Sequence, residues 1–299
     1  MEAKILGSGP TELVIGRGKG ERLQSSMLIN NELLIDATPS IRKQLTSKDK
    51  IKGILITHAH VDAIMGLKYI QPYLAEIPTP VIAAEHTINW IRKRVGRKGY
   101  LSYFKLTPDS EFMWGGYKIK PIAIEHSVMQ PKFDPTIAYK INNKMLYCSD
   151  IDYEYFYSER GKKIQDEIKT SKITILDGAM CRGNIRGHLN IFEAARYLGR
   201  NKCKNIIFTQ IGHSCPNFET LEKDIQKYDS SYKIAYDGMA FRIGEEFSEY
   251  LRENKEGIVL EPSHAQMVWQ GNKKLIIKGK LFQNAKGNLF DERCTIRGK

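Results

Sequence analysis

The sequence predicts an α/β fold, on two observations. Short apolar runs rich in β-branched residues recur along the chain, and between them lie segments whose apolar residues fall at helical spacing. Strand and helix signals that alternate in this way call for helices packed against sheet rather than for sheet alone. Of 299 residues, 41% are hydrophobic, enough for a full core, and the length suits one large domain plus something small.

The expected strands, in order, are Ala3 to Leu6, Met27 to Ile29, Glu32 to Ile35, Ile51 to Ile56, Val81 to Ala84, Tyr117 to Ile124, Thr136 to Ile141, Lys144 to Cys148, Ile173 to Leu176 and Asn205 to Phe208. Helices are expected at Pro39 to Thr46, Asp62 to Tyr69, Glu85 to Val95, Gly161 to Thr170, Asn190 to Leu198 and Pro216 to Tyr228, with Asn190 and Asn217 as N-caps. Past Arg242 the pattern changes. Gly244 to Gly257 is strongly charged, with helical spacing at Phe247, Tyr250 and Leu251, and reads as a surface or linking helix. Strand signals at Ile258 to Glu261 and Lys274 to Ile277 flank a short helix signal, His264 to Trp269. The domain boundary is therefore placed at 243, with 244–299 as a small basic α/β extension.

The run Ile56-Thr57-His58-Ala59-His60-Val61-Asp62-Ala63 carries the most chemistry. Alternate side chains of an extended segment share a side, so His58 and His60 point together just past a strand. Neutral imidazole and carboxylate are ligands for zinc, iron and manganese. The chain has only seven histidines, so such a cluster is not background. Others stand after apolar runs: His126, Asp150 and His213, with His188 just ahead of a helix signal. Asp36 closes Leu33-Leu34-Ile35 and is a candidate either to orient a ligand imidazole or to cap the next helix.

This set resembles the metallo-β-lactamase superfamily, whose signature is H-x-H-x-D-H. Lys4-Ile5-Leu6-Gly7-Ser8-Gly9, Gly187-His188-Leu189 and Tyr236-Asp237-Gly238-Met239 are similar to its phosphodiesterase branch, which includes the cyclic-phosphate enzyme of phosphonate breakdown. The resemblance spans roughly residues 1–243 and implies an αββα sandwich of two facing sheets. It implies that His58, His60 and His126 hold one ion, that Asp62 and His213 hold another, and that Asp150 bridges them. Asp62, Asp150 and His188 are the catalytic candidates, His188 for protonating a leaving oxygen or contacting phosphate. The cofactor is a divalent metal, zinc or manganese, as one or two ions. Ala63 stands where the family places a further histidine, so a second ion would bind weakly, take an extra water, recruit His188 or be absent. The tail around Trp269-Gln270-Gly271-Asn272-Lys273-Lys274 resembles part of an ASCH-like RNA-binding domain, incomplete here.

A formal net charge of +12 suits an anionic phosphate-ester substrate and makes nucleic acid a candidate partner. Arg92, Lys93, Arg94, Arg97 and Lys98 form one basic group, beside Tyr100, Tyr103 and Phe104, which could stack on bases or pack a helix hairpin. The glycine-rich start reads either as a flap with Arg17, Lys19 and Arg22 available to an anionic substrate or as a plain solvated loop; it lacks the P-loop pattern. The cysteines, Cys148, Cys181, Cys203, Cys215 and Cys294, read as free thiols of a cytoplasmic protein. No apolar run is long enough to span a membrane. The expected function is a metal-dependent phosphodiesterase acting on a nucleotide, a cyclic phosphate or a nucleic-acid end. The alternatives are a nucleic-acid-binding protein that has lost turnover, and a lactonase or thioesterase.

Overall fold

The computed structural model describes residues 1–11, 22–126, 136–183 and 187–244, together with the backbone of Phe247–Tyr250, Phe282–Gln283 and Leu289–Phe290. In the first half of the chain, β1 (Glu2–Gly7), β2 (Ser26–Ile29), β3 (Leu33–Ile35), β4 (Gly53–Leu55), β5 (Thr79–Ala83) and β6 (Leu101–Lys105) lie side by side in chain order. The first three are antiparallel and the last four parallel. The second sheet runs from β7 (Phe112–Trp114) through β8 (Tyr117–Ile124), β9 (Thr136–Ile141), β10 (Met145–Cys148), β11 (Ile173–Asp177) and β12 (Ile206–Thr209) to β13 (Lys233–Ile234). There β7 to β10 form an antiparallel meander and β10 to β13 are parallel. The chain then returns to the first sheet, where β14 (Ala240–Ile243) pairs with β1 and β15 (Phe247–Tyr250) with β14.

Three apolar clusters show how the layers stack. Side chains alternate across a strand, so β10 sends Met145 and Tyr147 to one side and Leu146 and Cys148 to the other. Met145 and Tyr147 join Ile5, Met27, Ile35 and Leu55 between the two sheets. Leu146 and Cys148 join residues of α4 (Tyr153–Tyr157), α5 (Lys162–Thr170), α6 (Ile191–Arg200) and α7 (Phe218–Gln226) on the outer face of the second sheet. Leu34, Ile54 and Val81 face outward from the first sheet against the short helices α1 (Ile41–Gln44) and α2 (Val61–Ile64) and the longer α3 (Glu85–Arg94). Strands buried on both faces need continuous apolar sequence, which is why they read as unbroken runs. The αββα sandwich expected from the resemblance is the architecture observed.

Several local expectations give way. Phe247–Tyr250 is a strand, not part of a helix, because the unpaired edge of β14 offers a ladder of backbone partners that outweighs local helical spacing. Tyr103 and Phe104 lie on edge strand β6 rather than in a helix hairpin; Phe104 is exposed and Arg92 lies over Tyr103. Cys181 and Cys215 are joined in a disulfide, correcting the reading of free thiols throughout. They follow the adjacent parallel strands β11 and β12, whose outgoing loops are neighbours in space although 34 residues apart in sequence. Cys148 and Cys203 are free and buried. Among the described residues no helix is long and apolar enough to cross a membrane. Most of the expected extension, including His264, Trp269 and the lysines near 273–280, lies outside the described residues, as do Arg17, Lys19 and Cys294.

Asn190 and Asn217 cap α6 and α7 as expected, the Asn190 side chain accepting from the N–H groups of Phe192 and Glu193 at 3.1 and 3.3 Å. Replacing Asn190 with Ala removes that acceptor and is expected to cost about 1 kcal/mol in urea-induced unfolding, with the slope unchanged.

Candidate metal centre

Strand direction decides where the chemistry collects. Strands β3, β4, β8, β10, β11 and β12 run so that their carboxyl ends meet at one edge of the sandwich, and the residues at or just beyond those ends are Asp36, His58, His126, Asp150, Asp177 and Gln210. Hydrogen bonds between the sheets hold that edge closed. The Tyr139 hydroxyl donates to the Ile56 carbonyl and the Ile137 N–H to the Thr57 carbonyl, both at 2.8 Å, and the Ile211 N–H reaches the Ser8 carbonyl at 3.0 Å.

His58, His60 and His126 bring one ring nitrogen each within 4.8 Å of one another, and a ring nitrogen each of His126 and His188 and a carboxylate oxygen of Asp150 are gathered as closely. Three ring pairs, His58 with His60, His58 with His126 and His60 with His126, sit edge to face at 4.5 to 5.1 Å between centroids. Three imidazoles in mutual contact have a reason to gather only if a cation or shared proton holds them. The protonation of His60 and His126 favours the cation. Burial pushes His126 down to about 3 and lowers His60, so both present neutral nitrogen at pH 7.

The orientation of His58 is set at a distance. Its Nδ1 lies 2.7 Å from the Thr57 hydroxyl, which donates to Asp36 at 2.9 and 3.0 Å, and the Thr57 N–H also reaches Asp36 at 2.9 Å. Run towards an ionised Asp36, this relay puts the proton on Nδ1 and leaves the lone pair on Nε2, which is buried with no hydrogen-bond partner. Burial pushes the Asp36 carboxyl well above its ordinary range, and a cation held at His58 Nε2 would favour this polarity by keeping the proton off that nitrogen. Asp36 thus acts on His58 through Thr57, and the N-cap of the helix that follows is Ser40 instead.

His126 is fixed likewise: Nδ1 meets the Gly187 carbonyl at 2.5 Å, leaving Nε2 to face inward. Gly187 has φ +96°, and a Cβ there would lie 2.8 Å from the His126 carbonyl oxygen, so both conformation and space demand glycine. Asp62 lies in the first turn of the four-residue helix Val61–Ile64; its Oδ2 accepts from the Thr11 hydroxyl at 2.9 Å, while Oδ1 is buried and unpartnered. Two orphaned buried acceptors, His58 Nε2 and Asp62 Oδ1, in a pocket of neutral imidazoles fit a divalent cation and little else.

His188 is paired with a residue that sequence reading passed over. Its Nδ1 lies 2.8 Å from Asp177, which is fully buried and also accepts the N–H groups of Ala179 at 2.9 Å and Ile151 at 3.2 Å. Burial opposes charge on both partners, raising Asp177, but the Asp177 carboxylate and its hydrogen bond carry His188 up to about 9. We place the shared proton on His188, because two backbone donors already hold Asp177 as the anion. The neighbouring imidazoles keep Asp150 below its ordinary range against the cost of burial, and His188 is the charged one among them.

Not every expected site residue converges. His213 is exposed and belongs to neither cluster, and Ala63, on the short helix Val61–Ile64, is buried in the outer core of the first sheet. Arg22 is not turned to substrate: it is buried, with Nη1 donating to the Ser8 hydroxyl and the Ala235 carbonyl. Gln210 was not anticipated, yet its Nε2 lies 2.9 Å from both oxygens of Asp150. Asp177 had a readable signal, since Leu176-Asp177 repeats the strand-end pattern of Ile35-Asp36 and Ser149-Asp150. Gln210 had only its place after β12.

Imidazoles gathered at the carboxyl edge of an αββα sandwich define a scaffold suited to holding a metal ion. A family model described as a beta-lactamase superfamily domain matches residues 31–210, more than half of the chain, and the chain belongs to the metallo-β-lactamase superfamily. Among curated relatives it is 24% identical to an octanoyltransferase from Porphyromonas gingivalis over 66% of this chain and 40% of that protein. It is 27% identical to the exodeoxyribonuclease YycJ from Bacillus anthracis over 48% of this chain and 51% of that one. The chain thus spans about half or less of the length of these relatives. Among solved structures it resembles a diphosphatase of the PhnP family with a TM-score of 0.65 and 20% identity, over 81% of this chain and 98% of that one.

The Asp36–Thr57–His58 relay gives a direct prediction. Thr57→Val keeps the shape but removes the hydroxyl, and chelator competition should show metal affinity falling about 10- to 100-fold. An unchanged affinity would remove the relay from the account.

Proposed function

We propose that this chain is a metal-dependent hydrolase of the phosphodiesterase type, acting on an anionic phosphate ester. The observation that carries the reading is the joining of two unlike features at one edge: a cluster of neutral imidazoles with an inward-facing lone pair, and a cationic imidazole backed by a buried carboxylate. Ligation is assigned to His58, His60, His126 and Asp150. A divalent ion at that point, zinc or manganese by its donor set, would supply a nucleophile at neutral pH and counter-charge for a developing oxyanion.

The remaining roles belong to the chain's own groups. His188 keeps Nδ1 on Asp177 and so presents Nε2–H, to place a proton on the leaving oxygen or to bind a phosphoryl oxygen. Its positive charge and the net charge of +12 favour an anionic diester over a neutral ester or lactone. Asp62 Oδ1, buried and unpartnered, is an acceptor suited to orienting a water. Hydrolysis at phosphorus is also what the names of the diphosphatase and the exodeoxyribonuclease denote, a phosphodiester in the second case; acyl transfer belongs to a protein of which this chain spans 40%. His213 is assigned no ligand role.

The test is hydrolysis of bis-p-nitrophenyl phosphate and of an alkyl phosphodiester by protein loaded with Mn²⁺ or Zn²⁺. Chelation and His58→Ala should each abolish turnover. His188→Asn should lower kcat about 10²- to 10⁴-fold on the alkyl ester, whose leaving group needs a proton, and far less on the p-nitrophenyl ester. Faster cleavage of a neutral ester or lactone than of any diester would overturn the substrate assignment.

A further inference from the structure

The count of ions can be argued from the lone pairs of one carboxylate. A carboxylate offers about four acceptor positions, an inner and an outer one on each oxygen. On Asp150, Gln210 Nε2 stands 2.9 Å from both oxygens and so lies across the mouth between them, engaging the inner position of each. The Ser149 hydroxyl donates to Oδ2 at 2.6 Å and fills a third. What remains is the outer position of Oδ1, and that oxygen is 3.7 Å from His126 Nε2. Two ligand atoms about 2 Å from a tetrahedral ion stand roughly 3.4 Å apart, so this last position is suited to an ion shared with His126. An oxygen with one position left can ligate one cation; it cannot bridge two.

The imidazoles lead to the same number. The clusters His58–His60–His126 and His126–Asp150–His188 share His126. Its Nδ1 is committed to the Gly187 carbonyl, so Nε2 is its one ligand atom, and an imidazole nitrogen has a single lone pair. His188 commits Nδ1 to Asp177. The clusters therefore converge on one point rather than outlining two.

Gln210 is held there at a cost. Its backbone has φ +61°, in the left-handed region that non-glycine residues avoid, and its Oε1 is buried without a partner. Turning the amide over would set Oε1 against both carboxylate oxygens, so the amide nitrogen is correctly placed towards Asp150. A strained backbone and an orphaned acceptor are tolerated where they secure something else, and here that is the neutral donor on the face of Asp150 where a second cation would bind.

We propose that this site holds a single divalent ion, with Gln210 as the positioning residue that occupies the bridging face of Asp150 and makes that carboxylate a terminal ligand. The proposal rests on the metal-dependent reading above. It departs from the expectation of a bridging Asp150, and Ala63 and the exposed His213 are consistent with the same one-ion design.

The experiment loads the full chain with excess Mn²⁺, removes the unbound ion, and reads elemental content alongside the electron paramagnetic resonance spectrum. The expected result is about one ion per chain with the hyperfine pattern of an isolated Mn²⁺; two-ion centres place their metals about 3.5–4 Å apart and give a coupled spectrum instead. Gln210→His, which withdraws the amide and supplies a ligand, should raise the content towards about two ions and introduce the coupled signal. About two coupled ions in the unaltered chain would overturn the single-ion proposal and leave the hydrolase reading standing. Gln210→His remaining at one ion with an isolated signal would overturn the role given to Gln210. Absence of any bound ion would instead bring down the metal-dependent reading itself, and this proposal with it.

Discussion

The hydrogen bonds that cross between the two sheets at their carboxyl edge are the constraint on which the rest depends. Apolar burial between the sheets is strong but non-directional, and it would tolerate sliding of one sheet over the other. The Tyr139 hydroxyl on the Ile56 carbonyl and the Ile137 N–H on the Thr57 carbonyl do not tolerate it. They lock β9, in the middle of the second sheet, to the segment leaving β4, and that segment carries His58 and His60. The Ser25 and Thr209 hydroxyls, 3.0 Å apart, tie the far side of the same edge. A shift of a few ångströms would separate His58 from His126, which come from different sheets.

The site is organised around the cost of burying charge. Asp36, Asp150 and Asp177 are all buried at strand ends, and each is satisfied differently. Asp36 takes two donors from Thr57, Asp177 takes two backbone N–H groups and a charged imidazole, and Asp150 takes Gln210 and Ser149. A buried carboxylate without such partners would neutralise itself by taking up a proton. The partners leave selected atoms open: His58 Nε2 stands where a cation would bind, and Asp62 Oδ1 is left free to orient a water. The same economy separates the histidines: burial keeps His126 neutral although Asp150 lies 3.7 Å away, and the one held by Asp177 is charged.

Much of this was legible before the fold was known. The strands with continuous apolar sequence were placed within a residue or two, because a strand buried on both faces leaves no polar alternation to blur it. The N-caps Asn190 and Asn217 were legible because capping is local. Strand β6 and the edge strand Phe247–Tyr250 were not, since edge pairing is decided by which ladder is open rather than by side-chain period. Cys181 and Cys215 escaped notice for the same reason: their proximity follows from β11 and β12 being parallel neighbours, and no spacing encodes that.

Within the site the division has the same cause. The sequence by itself determined the ligand types, the paired histidines after β4 and the order in which His126, Asp150 and His188 arrive, since these are identities and spacings along one chain. Only the tertiary structure decided that Gln210 rather than His213 faces Asp150, that Asp177 stands behind His188, and that Thr57 joins Asp36 to His58. Those are distances between the ends of different strands, and they depend on strand order and register, which no single segment carries.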